Sequence, residues 1–338
     1  MRNEMHVAGA ILGTVAGDCL GRPYVFMKSA SLFEMARQIC WQIEGMGAVS
    51  HLMLGGIWAH YRHGFALDAL VRGYYQRLAK AAGESDMVTA QFFAHGAKSR
   101  KASKLYEMAQ NADLGALCSG QLLVRQIPVV LGGCALSTEA LAARIASEVR
   151  LTHVDDECIE LAQVFGLCLQ GILRGFRRVE VWDALFAFVK NRNVYRTLLA
   201  SYYEKPVCDL ASYSQAHVTL QMALYHYWHD TPFVSAVRDA VLSGGATDVN
   251  AAATGCLIGA VHGLEVIPDT WRQIMLHDMP DCDTLRRAVL LGERLSGARI
   301  GTKPVRVRDG RIAAIMRHDH ATRRTVVQIE QKTERLNA

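Results

Sequence analysis

The chain has 338 residues, of which 51% are hydrophobic and 20% are charged, and its formal net charge is +5. This length and composition suit one large globular domain or two small ones. No apolar run reaches the ~18 residues that a membrane span needs, which excludes an integral membrane protein. The nine cysteines are scattered without a CxxC pair, a pattern typical of reduced thiols, and we expect a cytoplasmic protein.

The positive charge is concentrated at the C-terminal end. From residue 299 onward there are ten Lys or Arg residues and four acidic residues, so the rest of the chain is close to neutral. A basic segment of this kind is able to dock on an acidic protein partner or on nucleic acid. It lacks interleaved aromatic residues and any known nucleic-acid motif, which favours a solvated surface and argues against a nucleic-acid partner.

Helical patterns dominate the first 298 residues. The N-terminal stretch 1–21 has a short apolar run, but Asp18 follows it, the start is weakly basic, and no small-x-small cleavage site is present. We therefore predict the first buried helix of the fold there, not a signal peptide. Apolar residues recur at spacings of three and four in nine further stretches: His51–His63, Leu67–Ala82, Leu141–Val149, Cys158–Leu173, Val181–Val189, Val218–Trp228, Phe233–Val241, Asn250–Leu264 and Leu285–Leu295.

Caps, breaks and a change of pattern delimit these elements. Ser137 and Thr152 precede helical patterns with acidic residues in the first turn, as helix caps do. Pro232 and Pro268 mark breaks between helices. Residues 299–338 differ, because alternating stretches flank a turn at Asp309-Gly310, a pattern that predicts a β-hairpin. We predict an all-α domain over residues 1–298 and a small β appendage over residues 299–338.

The stretch Ser243–Asn250 is the strongest candidate for a site. Gly244 and Gly245 allow backbone conformations closed to other residues, and Asp248 and Asn250 follow where a helix begins. Residues 251–263 are small and apolar on nearly every face, so this helix is predicted to be packed on all sides. A polar turn held on a buried helix is suited to a ligand, and it is equally the start of an ordinary helix.

Three stretches together resemble the ADP-ribosylglycohydrolase family. The stretch Gly9–Pro23 (GAILGTVAGDCLGRP) is similar to the family's opening G-x-x-x-G-x-x-x-G-D-A-x-G-x-P. Arg125–Pro128 followed by Thr152-His153 resembles its R-x-x-P and later T-H. Residues 243–250 resemble its G-G-D-x-D-T, with the small-residue helix, Ile267-Pro268 and Trp271 following in the family's order. The resemblance covers residues 5 to about 296 and leaves out the basic tail.

The resemblance implies an all-helical domain with a site between helices. Family members bind two Mg²⁺ ions and cleave the N- or O-glycosidic bond that joins ADP-ribose to a protein side chain. Mg²⁺ takes oxygen ligands in octahedral geometry, which explains the acidic motifs of the family. Two such ions orient the ribose hydroxyls and a water molecule and stabilise charge at the anomeric centre.

This sequence departs from the family at its metal motifs. The family's T-D-D-T falls on residues 48–51, which read Ala-Val-Ser-His. In the third motif Ala246 stands for the first Asp, Asp248 is kept, and Val249 stands for the Thr. The family's Glu after the first motif falls in Tyr24-Val25-Phe26, and its N-G before R-x-x-P reads Gly120-Gln121. One carboxylate cannot offset the dehydration of two divalent cations, so we predict that the two Mg²⁺ ions are absent.

Three residues are the candidates for any remaining catalysis. Asp248 is placed to orient a ribose or act as a base, or else it caps a helix N-terminus. His51 replaces a ligand threonine and is a candidate base, or it fills the emptied cavity. Asp18 lies between glycines and either takes part in the chemistry or ties helix ends together.

A second set comprises candidate ligand-binding residues. His153 lies with Thr152 and three acidic residues at positions 155–157, which could form a new metal or acid–base site. Acidic residues at a helix start also favour the helix dipole, so the alternative is structural. The complete set that we expect to contact a ligand is Gly120, Gln121, Arg125, His153, Gly244, Gly245 and Asn250.

Three functions remain open on these residues. The first is a catalytically degenerate member that binds a ribosyl or nucleotide-type small molecule. The second is a metal-independent enzyme that cleaves or rearranges a glycosidic or related bond, since two suitably spaced carboxylates suffice for such chemistry. The third is an interaction protein whose basic tail docks on a partner.

Overall fold

A computed structural model describes residues 2–79, 92, 101–112, 118–206, 208 and 215–296, and this part of the chain is all-α. Its backbone pairing outside helices includes a single isolated antiparallel bridge, between Ser119 and Gln215. The described α-helices are α1 (Arg2–Gly21), α2 (Ser29–Met35), α3 (Ala48–His63), α4 (Leu67–Leu78), α5 (Ala102–Asn111), α6 (Gln121–Val124), α7 (Gln126–Gly133), α8 (Thr138–Val149), α9 (Asp156–Leu173), α10 (Arg178–Phe188), α11 (Arg192–Tyr203), α12 (Ala216–Trp228), α13 (Phe233–Leu242), α14 (Thr247–His262), α15 (Asp269–Gln273) and α16 (Cys282–Ser296).

The all-α prediction is confirmed, and the predicted helices are present. Most of them begin two or three residues earlier than predicted, because their first turns, such as Thr138-Glu139 and Asp156-Glu157, carry no apolar periodicity. The predicted β appendage and the basic tail, residues 299–338, lie outside the described residues. Within the part of the chain that is described, no helix is both long and apolar enough to cross a bilayer.

The central contact of the fold is an antiparallel crossing of α1 and α14. Glycines recur every four residues along α1, and each faces the backbone of α14. A Cβ added at Gly9 would lie 2.2 Å from the carbonyl oxygen of Gly259, and one at Gly13 would lie 2.1 Å from that of Gly255. The series continues at Gly17, whose Cβ would meet the Ala251 oxygen at 2.1 Å, and at Gly21 with the Thr247 oxygen at 2.3 Å. The two helices therefore pack backbone against backbone over four turns.

The burial of α14 follows from this packing. Every residue from Thr247 to Ala260 is buried, as the uniform run of small residues predicted. Helices α12 and α13 pack on its other faces. Because α1 and α14 run antiparallel, the C-terminal end of α1 lies beside the N-terminal start of α14, and the start of α3 meets the same place. We call this place the helix junction, defined by Asp18–Gly21, Gly47–His51 and Gly244–Asn250.

Two predicted helix caps had different outcomes. Ser137 caps α8, since its hydroxyl accepts a hydrogen bond from the Ala140 amide at 3.2 Å. The prediction that Thr152 caps the next helix is wrong. Asp155 caps α9 instead, and its Oδ1 accepts from the amides of Glu157 and Cys158 at 2.9 and 3.1 Å. Thr152 is buried and bonded to side chains of the core, which a turn at the surface would not allow.

The α1–α14 crossing predicts a strong effect of one methyl group. Gly13→Ala places its Cβ against the Gly255 carbonyl oxygen, so the helices must separate. We expect the free energy of unfolding to fall by about 3 kcal/mol in urea denaturation followed by circular dichroism. Gly45→Ala is the control, because its Cβ would meet nothing closer than the Arg22 side chain at 4.0 Å. A loss at Gly13 no larger than at Gly45 would contradict the packing described.

Candidate functional site

Asp18 caps α3 from a different helix. Its Oδ2 accepts hydrogen bonds from the Gly47 amide at 2.8 Å and from the Ser50 amide at 3.0 Å. The Ser50 hydroxyl donates to the same oxygen at 2.5 Å. The helix has no cap of its own, since Gly47 at its N-cap position carries no side chain. Asp18 therefore satisfies backbone donors that the first turn of α3 leaves open.

The burial of Asp18 changes its acidity. The side chain is 0% exposed, and desolvation raises the pKa of the carboxyl to about 6. The hydrogen bonds from Ser50 and Gly47 and the charge of Arg22 act in the opposite direction and favour the carboxylate. Burial outweighs them because the cost of desolvating a charge is large. Near neutral pH the group is therefore close to its titration range.

The glycine turn before α14 is bonded to the loop that follows α1. Gly244 and Gly245 have φ values of 81° and 72°, conformations that side chains rarely adopt. The Gly245 amide donates to the Met27 oxygen at 3.2 Å, and the Phe26 amide donates to the Gly245 oxygen at 3.2 Å. This short reciprocal pairing holds residues 26–27 beside the start of α14.

The first turn of α14 also contacts the segment around Gly120. Asn250 accepts a hydrogen bond from the Thr219 hydroxyl at 2.7 Å, and its amide group lies 3.4 Å from the Gly244 oxygen, to which it donates. A Cβ at Gly120 would lie 2.4 Å from Thr219 Oγ1 and 3.0 Å from Val249 Cγ1. Gly120 is thus the residue that lets this segment approach α14.

His153 holds the same segment from its other side. The Ser119 amide donates to His153 Nε2 at 3.5 Å, and His153 Nδ1 lies 2.8 Å from Thr152 Oγ1, within hydrogen-bond distance. Ser119 Oγ in turn accepts from the Gln121 amide at 3.2 Å. His153 is 2% exposed, whereas Asp155 is exposed and caps α9. The predicted grouping of His153 with the acidic residues 155–157 is therefore divided between the core and the surface.

Arg125 lies in the core, in a buried ion pair. Its Nε donates to Glu148 Oε1 at 2.9 Å and its Nη2 to Glu148 Oε2 at 3.2 Å, and both side chains are 0% exposed. Its Nη1 donates to Thr152 Oγ1 at 2.8 Å, and Gln126 donates to Glu148 at 2.5 Å. Each guanidinium nitrogen therefore has a partner among core residues, and Arg125 joins α6–α7 to α8.

The positions that match the family's metal motifs now have a location. Ala48, Val49 and Ser50 form the first turn of α3, and Ala246 and Val249 flank Asp248 at the start of α14. All of them are buried, with exposures of 6% or less. Four of these side chains end in methyl groups, and Ser50 is bonded to Asp18. Among the described residues, no group of three or more His, Cys, Asp or Glu side chains is arranged to hold a metal ion.

The predicted site residues fall into three groups. Most of them belong to the helix junction or touch it: Asp18, His51, Asp248, Gly120, Gly244, Gly245 and Asn250. Arg125 lies behind the junction, in the buried ion pair. Gln121 and His153 lie between the junction and the ion pair and connect them. Motif reading did not single out Ser119, Thr219 or Glu148. No local pattern marks them, because each acts on a residue distant in sequence. A groove of about 280 Å³ lies elsewhere, between α4, α5 and α8, and none of the predicted residues lines it.

Comparison with known proteins shows which family the chain belongs to. The ADP-ribosylglycohydrolase family profile matches residues 2–304, so the chain belongs to the ADP-ribosylglycohydrolase family. A protein of Acanthamoeba polyphaga mimivirus that carries an ADP-ribosyl glycohydrolase name is 22% identical over 303 residues, which cover 81% of this chain and 92% of that protein. Crystallin J1B of Tripedalia cystophora is 25% identical over 129 residues, or 36% of this chain and 40% of the crystallin.

The fold is also similar to that of a solved structure. A chain described as an ADP-ribosylglycohydrolase-related protein complex superposes with a TM-score of 0.71 at 20% identity, covering 88% of this chain and 100% of that chain. At this level of identity the likeness shows the fold, and the roles of individual residues depend on the contacts described above.

The buried pair of Arg125 and Glu148 predicts a large loss when one partner is removed. Glu148→Ala leaves the guanidinium buried without its carboxylate, and we expect a loss of about 3–5 kcal/mol in chemical denaturation. Replacing both partners, with Arg125→Met and Glu148→Leu, recovers most of this loss. Glu107→Ala removes the exposed pair with Lys104 and serves as the control, with an expected change within about 0.5 kcal/mol. Equal losses at Glu148 and Glu107 would contradict the assignment.

The raised pKa of Asp18 predicts the sign of a pH effect. A folded carboxyl with a pKa of about 6 binds protons more readily than the unfolded carboxyl at 3.8, so its contribution to stability decreases as pH rises from about 4 to 6. Asp18→Asn does not titrate. The stability of the wild type relative to this variant is expected to fall by about 2–3 kcal/mol between pH 4 and pH 7. Measuring both proteins at each pH cancels the other titrating groups, and a difference that rises with pH would contradict the prediction.

Proposed function

We propose that this family member binds a ribosyl or nucleotide-type small molecule at the helix junction without the family's two Mg²⁺ ions. The observation that carries the proposal is the chemistry of the side chains at the two metal-motif positions. Mg²⁺ takes oxygen ligands. Ala48, Val49, Ala246 and Val249 supply methyl groups where the family motifs supply oxygens, so these residues do not fit the metal pair.

The state of Asp18 supports the same proposal. Its Oδ2 already accepts three hydrogen bonds from the start of α3. Directing Oδ2 to a metal ion would leave buried amide groups of that helix without an acceptor, at a cost of about 1–3 kcal/mol for each. The other oxygen, Oδ1, is buried and has no hydrogen-bond partner among the described residues. Asp248 is the one carboxylate kept at the metal-motif positions, and one carboxylate does not balance two dications.

Retained binding is supported by the start of α14. The amide groups of a helix N-terminus attract polar and anionic ligand groups. The Asp248 carboxylate repels a phosphate in direct contact but accepts hydrogen bonds from sugar hydroxyls. A ribose at Asp248, with any phosphate further away, satisfies both conditions. The proposed position of the ribosyl part of the ligand is therefore the junction.

Titration calorimetry with ADP-ribose tests the proposal. We expect the same affinity in EDTA as in millimolar Mg²⁺, because no metal bridges ligand and protein. Asp248→Asn is expected to weaken binding about tenfold, since it replaces a charged acceptor by a neutral one. Binding that requires Mg²⁺, or two Mg²⁺ ions bound in the absence of ligand, would refute the metal-free site. Asp18→Asn is not a suitable control here because it alters the start of α3.

A second candidate function is metal-independent cleavage of a glycosidic or related bond. It is favoured by the raised pKa of Asp18, about 6, because a carboxyl with this pKa exchanges a proton nearer to neutral pH than an exposed carboxyl does. Glycoside chemistry uses two carboxyl groups in different protonation states, and Asp248 lies on the adjoining helix start. Turnover of a ribosyl substrate that persists in EDTA and is lost in Asp248→Asn would establish this function in place of simple binding.

Two further points belong to the proposal. Failure of every ribosyl and nucleotide ligand to bind would favour an interaction protein that docks on an acidic partner through the basic residues 299–338. We also propose a cytoplasmic location, since all nine cysteines carry free thiols, as they do in reducing compartments.

A further inference from the structure

A groove between α4, α5 and α8 takes no part in the site described above. Its volume is about 280 Å³, near the lower end of the range for ligand pockets, roughly 300–1,000 Å³. Leu67, Ala102 and Leu151 form its apolar lining, and Ala102 and Leu151 are buried members of the smaller hydrophobic cluster of the protein. The groove therefore has an apolar lining anchored in the core and room for a small molecule.

Two helices present polar side chains to this groove. Ser103 and Tyr106 lie three residues apart on α5, and Ser147 and Arg150 lie three residues apart at the C-terminal end of α8. Residues at this spacing share one face of a helix, so each pair lies along one wall. The groove thus combines its apolar lining with three hydroxyl groups and one guanidinium.

Arg150 is the charged residue on the lining. The residue is partly exposed, and in the described part of the chain its guanidinium forms no hydrogen bond or ion pair. Arg125 is different, because each of its guanidinium nitrogens has a partner in the core. A planar guanidinium binds a carboxylate through two parallel hydrogen bonds. Arg150 is therefore free to bind an anionic group of a molecule in the groove.

The acidic residues near the groove are bonded elsewhere. Asp68 Oδ1 accepts a hydrogen bond from the Ala102 amide at 2.7 Å, which joins the start of α4 to the start of α5. Glu107 forms an ion pair with Lys104 at 2.7 Å on the exposed surface of α5. The first bond holds two walls of the groove together. It also occupies the Ala102 amide, so Arg150 is the group in the groove that attracts an anion.

We propose that this groove is a second binding site, for a small organic carboxylate with an apolar body. The carboxylate pairs with the Arg150 guanidinium, and the hydroxyl groups of Ser103 and Tyr106 are further hydrogen-bond donors. The apolar body lies on Leu67 and Leu151. One guanidinium balances the single charge of a carboxylate but not the nearly double charge of a phosphate monoester. The proposal does not depend on ligand binding at the helix junction.

Ligand-detected NMR titrations with three probes test the site. Benzoate is expected to bind about tenfold more tightly than benzamide, which has the ring without the charge, because hydrogen bonds to a charged group are the stronger ones. Benzoate is also expected to bind about tenfold more tightly than acetate, which has the charge without the ring.

Three variants locate the binding. Arg150→Gln is expected to reduce the affinity for benzoate to that for benzamide, because it removes the charged partner. Ser147→Leu fills the groove with an apolar side chain and is expected to weaken the binding of benzoate and benzamide alike. Arg196→Gln makes the same charge change at an exposed position of α11, outside the groove, and is expected to leave the affinity for benzoate unchanged.

The contrary outcomes are equally specific. Benzoate that binds the wild type no more tightly than benzamide or acetate would refute the site. Equal losses in Arg150→Gln and Arg196→Gln would show a general attraction by positive charge and would also refute it. Phenyl phosphate that binds more tightly than benzoate would overturn the assignment to carboxylates.

Discussion

The crossing of α1 and α14 is the contact on which the rest of the structure depends. Hypothetical Cβ atoms at Gly9, Gly13, Gly17 and Gly21 would lie within 2.3 Å of carbonyl oxygens on α14. Such contact fixes the register of the two helices, because a shift along either axis brings side chains into the interface. The register then sets Asp18, near the end of α1, beside the start of α14. The helix junction is therefore a product of close backbone packing.

At this junction one carboxylate has a clear structural role. Asp18 caps α3 from outside that helix and is bonded to Ser50, in the turn where the family resemblance places metal ligands. The burial of Ala48 and Val49 in the same turn makes it apolar as well as capped. The first turn of any helix needs acceptors for its free amide groups, and Asp18 supplies one for the start of α3.

Behind the junction, a buried polar network supports the segment that approaches α14. Glu148 forms an ion pair with Arg125, and Arg125 is hydrogen-bonded to Thr152. Thr152 is hydrogen-bonded to His153, which accepts a hydrogen bond from the Ser119 amide. Each side chain in this network forms a hydrogen bond with the next one. The network is therefore stable in a core where an unpaired polar group would be costly. Residues that look like ligand contacts in a motif here act as supports of the Ser119–Gln121 backbone.

The sequence by itself determined the all-α class, the positions of most helices and the family. The i, i+4 spacing of glycines and the apolar periodicities are local properties, and local patterns survive in any packing. The sequence also showed at which positions the metal-ligating oxygen atoms of the family's motifs are missing. Only the tertiary structure decided that Asp18 caps a helix 29 to 32 residues away, that Arg125 pairs with Glu148 and that a groove lies between α4, α5 and α8. These features depend on which helix ends meet, and that is set by the packing of whole helices.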